Sequence, residues 1–520
     1  MASLGQQAAR GGGITLLGQG VKLVLQIANL VVLSRILSPR DFGLVAMVTA
    51  LIGVGDVIRD LGLSSAAMQA RTLSRHQKSN LFWINLGLGA FLAVATFSVA
   101  QPISAFYGKP ELVAITSWLA LTFLLNGFQT QFQAELGRNL RFFSLAWTEL
   151  LALVLGFAGA VSAALLGYGF WALVVQQLVQ CFFMTLLRVA SASWWPGLPR
   201  RHANMGGLLR YGGNLTGTQV LVYASSNIDS VIVGAAFGST TLGLYNRAFQ
   251  LLSAPLNQFF SPITHVALPV LSKLQDSASE FMAYVVRAQL VLGHSVAFIF
   301  AAVIVAAEPL IRIVLGDQWT ASSPILQILA IGGAVQAVSY PAYWVFLARG
   351  LTGAHLRFSL ISRPVVIAMI ALGSIFGVEG VAAGYAAGMC ITWPLSLWWL
   401  SRQGVSDVKL LLFTGLRVLA AGALAGSATG ILVHLIHPSS SVAHIVLTAV
   451  FLFASYSILI LVSRKLRSDL RAMVLVLMLL RGRKAIGQET QPPAGTMRGR
   501  GRSASMWRLA SRSRRKANRE

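Results

Sequence analysis

The sequence predicts an all-α polytopic membrane protein, and three observations carry that prediction. Of 520 residues, 55% are hydrophobic and only 11% charged, against about 25% charged in soluble domains. Mean hydropathy is +0.69. Apolar segments of about 20 residues, the length that crosses a ~30 Å hydrocarbon core, recur fourteen times between residues 14 and 464. The runs are long and do not alternate, so they read as helices rather than barrel strands.

The expected spans are 14–37, 43–66, 80–106, 112–135, 145–166, 169–190, 212–236, 242–268, 283–306, 322–347, 358–376, 380–400, 409–436 and 442–463. The first lacks the uninterrupted apolar core and cleavage site of a signal peptide, since Lys22 lies within it, and is expected to be retained. Lys and Arg concentrate on one side: sixteen in the loops of one face, Arg71 and Lys409 among them, against three (Arg40, Lys109, Arg312) on the other. Basic loops stay cytoplasmic, so both termini are expected in the cytoplasm.

The chain also repeats itself. VVLSRILSPRDFGLV at 31–45 sits against VIVGAAFGSTTLGLY at 231–245, with Gly43 and Leu44 facing Gly243 and Leu244. Phe143-Ser144-Leu145 recurs as Phe358-Ser359-Leu360. The implied architecture is two six-helix lobes, 1–205 and 206–402, related by a pseudo-twofold axis along the membrane normal. Two further helices follow over 403–465, then an amphipathic juxtamembrane helix over 466–480, expected on the membrane surface. Residues 481–520 hold 12 Lys/Arg and 2 Glu. This basic tail reads as disordered and suited to anionic phospholipid rather than nucleic acid.

Familiar catalytic signatures are missing. There is no GxxxxGK[ST] loop, no HExxH and no metal-ligand spacing. Cys181 and Cys390, each inside an apolar run, read as unpaired thiols. The short external loops argue against an enzyme, and no cofactor is implied. A membrane-embedded polymerase or glycosyltransferase would need a sizeable external loop bearing catalytic groups, and the longest cytoplasmic loop, about 191–211, has no acid pair for general acid–base work.

Ionisable residues inside spans are therefore the functional candidates. Lys22 lies in span one; Asp56, Arg59 and Asp60 lie in span two; Asp229 lies in span seven; Arg247 opens span eight. Asp56 and Asp60 share a helix face, and Arg59 is placed to pair with Asp56. That group reads either as a structural ion pair or as an ion-coupling site, with Asp229 a further coupling candidate. Lys22, Arg59 and Arg247 are the candidates for a cationic cavity, because ammonium and guanidinium groups bind phosphate oxygens. Snorkelling is the alternative for Lys22. His265 and His294 read as packing or interface residues, and Pro255, Pro262 and Pro269 as possible kinks.

Several stretches, in order, carry a family resemblance: VVLSRILSPRDFGLVAMV, GDVIRDLGLSSAAMQ, FWINLGLG, LGLYNRAFQL, FFSPITHVALPVLSKLQD and VLGDQWTASSPILQIL. Together they resemble Wzx-type polysaccharide flippases of the multidrug/oligosaccharidyl-lipid/polysaccharide exporter superfamily, the colanic acid exporter branch in particular. The resemblance covers about residues 10–400, which leaves out the last two spans and the tail. It implies a bacterial inner-membrane flippase with two helical lobes around a cationic cavity. Its cargo would be an undecaprenyl-diphosphate-linked oligosaccharide, moved by alternating access for surface polysaccharide synthesis, alongside a polysaccharide polymerase and other assembly proteins. A cation-coupled multidrug antiporter of the same superfamily is the alternative.

Overall fold

The computed structural model describes residues 4–60, 74–199 and 206–474. The basic tail lies outside these residues, as does 475–480 of the expected juxtamembrane helix. Residues 1–469 form one compact unit and residues 470–520 a second.

Helix α1 (Leu4–Ile36) turns directly into α2 (Pro39–Asp60). The sequence Ser-Pro-Arg-Asp dictates this turn. Pro39 supplies a preset φ at the first helical position, and the Asp41 carboxylate accepts from the Ser38 N–H at 3.0 Å and the Ser38 hydroxyl at 2.6 Å. Next come α3 (Arg75–Ser98), α4 (Ala100–Tyr107), α5 (Glu111–Arg138), α6 (Phe142–Leu165) and α7 (Trp171–Ser191). A capping box opens α3: Ser74 Oγ accepts from Gln77 N, and Gln77 Oε1 accepts from Ser74 N.

Helix α8 (Gly206–Lys273) is a hairpin rather than a rod. Gly238 sits at φ 80°, outside helical space and open to glycine without strain. Residues on either side of it meet: Tyr245 with Asp229, and Asn246 with Ser230. The second arm runs helically through Pro255, Pro262 and Pro269. The chain continues through α9 (Ala278–Val305), α10 (Ala307–Val314), α11 (Ser323–Ala348), α12 (Thr352–Gly373), α13 (Gly377–Arg402), α14 (Val408–Ile436) and α15 (Ser441–Val462).

Twelve segments of the described residues are long and apolar enough to cross a membrane, against the fourteen expected from sequence. Two of the twelve contain a reversal. Val222–Ala254 includes the Gly238 turn, and Thr352–Arg402 includes the turn at Gly377, where φ is 86°. The outward faces are apolar, with Phe91, Phe97, Phe453 and Leu461 all more than half exposed. In water such a surface would aggregate; in lipid it is solvated.

Helices α1 to α7 pack mainly on one another, and α8 to α15 do the same. The two sets meet chiefly where α2 lies along α8. Small residues make that seam. A Cβ on Gly43 would run into the Ser239 carbonyl oxygen, and one on Gly243 into the Pro39 carbonyl oxygen. The two glycines matched by the internal repeat are thus neighbours in space. Further along, Tyr223 Oη donates to Thr49 O at 2.9 Å, next to Gly53. Close backbone approach of this kind is how membrane helices gain contact without a hydrophobic driving force. At the α1–α2 turn, the Gln318 and Trp319 side chains donate to Ser34 O at 2.7 Å each, and Phe42 packs edge-on against Trp319.

The segment after α15 departs from expectation. Residues 464–474 are helical. Leu466 and Asp469, expected on a membrane surface, are buried instead. Leu466 joins a cluster with Ala301, Ala425, Leu452 and Tyr456. Asp469 takes both oxygens to Arg417, at 2.7 and 2.8 Å. His294 is likewise more than packing: its Nδ1 hydrogen-bonds Tyr456 Oη at 2.6 Å, and its Nε2 lies 3.9 Å from Asp469. Leu466 buries apolar surface there, and the two ionic partners satisfy each other beside it.

Candidate functional site

The polar interior of the first helical set gathers at the end farthest from the α1–α2 turn. Lys22 on α1 pairs with Glu149 on α6 at 2.5 Å. The two side chains, 30% and 32% exposed, line a pocket of about 110 Å³ between these helices, with Gly18, Gln19 and Ala146. Arg59 lies 3.6 Å from Asp56, one turn earlier on α2. Between these pairs sits Arg188 of α7, only 6% exposed. Its Nη1 donates to the amide oxygens of Gln129 and Gln133, at 2.5 and 2.8 Å. Its Nε is buried and has no hydrogen-bond partner among the described residues. Glu149, Arg59 and Cys181 all lie within electrostatic range of the Arg188 guanidinium.

The arrangement is one cluster of three cations and two carboxylates. Nearby, Lys78 pairs with Glu135 at 2.6 Å, and Asn139 also donates to that carboxylate. Hydrogen bonds donated to neutral amide oxygens orient a guanidinium without cancelling its charge, so Arg188 keeps its attraction for an added anion.

The remaining candidates lie elsewhere. Arg247 stacks over the Phe42 ring at 3.7 Å and donates to Gln250 Oε1. It therefore sits at the α1–α2 turn. At 1.5 Å rise per residue, Lys22 lies about 18 Å below Ser34 of that same level. Lys22 and Arg247 are not a contacting pair, because each belongs to a different end of the bundle. Asp229, 5% exposed, accepts from Tyr245 Oη at 2.9 Å and from the Ser230 N–H at 2.8 Å. No cation pairs with it among the ion pairs of the described residues. Asp60 ends α2, and its side chain lies outside the described residues, as does that of His265.

Glu149 and Arg188 were not among the sequence candidates. Glu149 had a signal: it is a lone acid in the apolar run FFSLAWTELLALVLG. Arg188 falls near the end of span six, where it counts as a positive-inside loop residue. Only the packing of α7 against α5 buries it. Among the described residues, no group of three or more His, Cys, Asp or Glu is arranged to hold a metal, and both cysteines are free.

The chain is similar to known proteins in sequence and in fold. Residues 32–324, more than half of the chain, match the family described as polysaccharide biosynthesis protein. The lipopolysaccharide biosynthesis protein WzxC of Escherichia coli (strain K12) is 24% identical over 72% of this chain and 76% of its own length. The teichuronic acid biosynthesis protein TuaB of Bacillus subtilis (strain 168) is 25% identical over 67% of this chain and 73% of its own. In fold, the chain is similar to the lipid II flippase MurJ in an inward closed conformation. The TM-score is 0.68 at 14% identity, covering 86% of this chain and 99% of that one. An inward-facing multidrug MATE transporter follows at TM-score 0.57, 16% identical, covering 74% of this chain and 94% of its own. With the family match spanning more than half of the chain, most of the first helical set and the opening of the second, the chain belongs to the polysaccharide biosynthesis protein family.

Proposed function

We propose that this protein is a flippase that carries undecaprenyl-diphosphate-linked oligosaccharide units across the bacterial inner membrane by alternating access. The observation that carries this reading is the Lys22–Glu149–Arg188–Arg59–Asp56 cluster inside apolar helices. Charges at such a place are costly unless they serve a ligand. A diphosphate offers the oxygens that ammonium and guanidinium groups bind best. The relatives' printed roles, in lipopolysaccharide and teichuronic acid synthesis, support a glycan cargo.

In this reading residues 1–205 and 206–402 are the two lobes, and both termini are cytoplasmic. The α1–α2 turn then faces the periplasm, where the Gly43–Gly243 seam is shut. Cargo loads at the Lys22 end. Arg247, about 18 Å higher, receives the diphosphate when the seam parts. Asp229 couples the cycle to a cation, with Asp56 and Asp60 as the second candidate group. The same protein works beside a polysaccharide polymerase, and its basic tail rests on anionic lipid.

The test is leaflet accessibility of lipid-linked glycans in a deletion strain complemented with Lys22→Ala or Arg247→Ala. Accumulation on the cytoplasmic leaflet with normal protein levels is expected. Full surface polysaccharide in both variants would remove the proposed site. Unchanged glycan export in the deletion strain itself would shift the reading to drug efflux.

A further inference from the structure

Resting on the diphosphate-binding reading of Lys22, we propose that Glu149 is a built-in stand-in for the anionic cargo: it holds Lys22 while the site is empty and transfers to Arg188 when a diphosphate takes Lys22. Three observations point to this exchange. First, the Lys22–Glu149 pair is in contact at 2.5 Å yet a third exposed toward a pocket, so an arriving anion reaches it. Second, Arg188 is buried, holds no carboxylate, and keeps an Nε–H without a hydrogen-bond partner among the described residues. Third, Glu149 and Arg188 stand on α6 and α7, which pack along each other, and they already feel each other's charge.

The physical logic is one of conserved pairing. A carboxylate displaced from Lys22 with nowhere to go is left as an uncompensated ion in an apolar setting, which opposes binding. A waiting guanidinium removes that penalty. Arg188 is thus a positioning residue: it touches Glu149, not cargo. When the diphosphate leaves, Glu149 returns to Lys22 and competes against rebinding, which keeps the site's affinity low enough for release.

The experiment is a double-mutant cycle on the purified full chain in detergent, titrated calorimetrically with geranylgeranyl diphosphate and, separately, with inorganic pyrophosphate. Arg188→Gln alone is expected to weaken geranylgeranyl diphosphate binding about tenfold, whereas in the Glu149→Gln background it shifts binding less than about twofold. Glu149→Gln alone tightens binding, because Lys22 is no longer occupied. Arg188→Lys restores most of the affinity lost in Arg188→Gln, which separates charge from fold. An equal tenfold loss in both backgrounds overturns the exchange. The same coupling seen with pyrophosphate at equal affinity supports the exchange but assigns the anion to a free diphosphate. If the unaltered chain binds neither probe, the diphosphate reading itself falls; if it binds but shows no coupling, only the exchange falls.

Discussion

The two helical sets of this protein keep their charges in opposite ways. In α1 to α7, four charged groups gather around Arg188 within reach of a pocket. In α8 to α15, Asp229 is closed off by Tyr245 and a backbone N–H, and Arg247 leans on the Phe42 ring across the seam. Sets with matching glycines and matching order have diverged in chemistry: one collects anion-binding groups beside a pocket, the other isolates Asp229 and closes its Arg417–Asp469 pair within an apolar cluster. Between them runs a seam of glycine and backbone with no ion pair across it among the described residues. Such a seam parts without breaking ion pairs, so the binding cluster and the moving contact stay independent.

Breaking the seam is expected to have the largest effect. Gly43→Val drives a side chain into the Ser239 carbonyl, which cannot swing aside as a side-chain tip does. Overpacking of at least about 3 kcal/mol shifts the closed state by more than about a hundredfold. Disulfide trapping between Ser34→Cys and Gln318→Cys, with Cys181 and Cys390 replaced, reads this out. Trapping is efficient in the parent and lost in Gly43→Val; undiminished trapping would refute the seam as the closing contact.

The anchored segment after α15 comes next. Burial pushes the Asp469 carboxyl up, but the Arg417 hydrogen bonds and charge, with His294 beside it, hold it below the ordinary carboxylate value. A depressed folded-state pKa stabilises above the unfolded value of about 4 and stops doing so as pH falls through the folded value. Arg417→Met, which strands Asp469, is expected to cost about 3 kcal/mol at neutral pH. The deficit should shrink below about pH 4. Thermal unfolding in detergent across pH checks the sign, and a deficit independent of pH would count against the pair.

Asp229→Asn sharpens the contrast between the sets. The amide retains an acceptor for Ser230 and a partner for Tyr245, so stability should move by only about 1 kcal/mol. Transport should lose its dependence on an imposed cation gradient. Retained dependence moves coupling to Asp56 or Asp60. The smallest effect belongs to Gly20→Ala on α1, where a Cβ meets nothing within 4 Å. A gain of up to about 1 kcal/mol in helix stability, with unchanged transport, is the expected result.

Length and hydropathy determined the class of this protein, because a ~30 Å apolar slab admits few solutions. The local repeat found Gly43 and Gly243, since backbone proximity leaves a residue-level trace: only glycine fits. Intra-helical spacing found the Arg59–Asp56 pair, because i,i+3 geometry is local. What the tertiary structure alone decided was which charges share a site. Lys22 meets Glu149 across 127 positions of sequence, Asp469 is drawn inward to Arg417 rather than left on a surface, and Arg188 moves from a loop tally to the centre of the cluster. Helix–helix contacts set those distances, and no single helix encodes its neighbour's rotation.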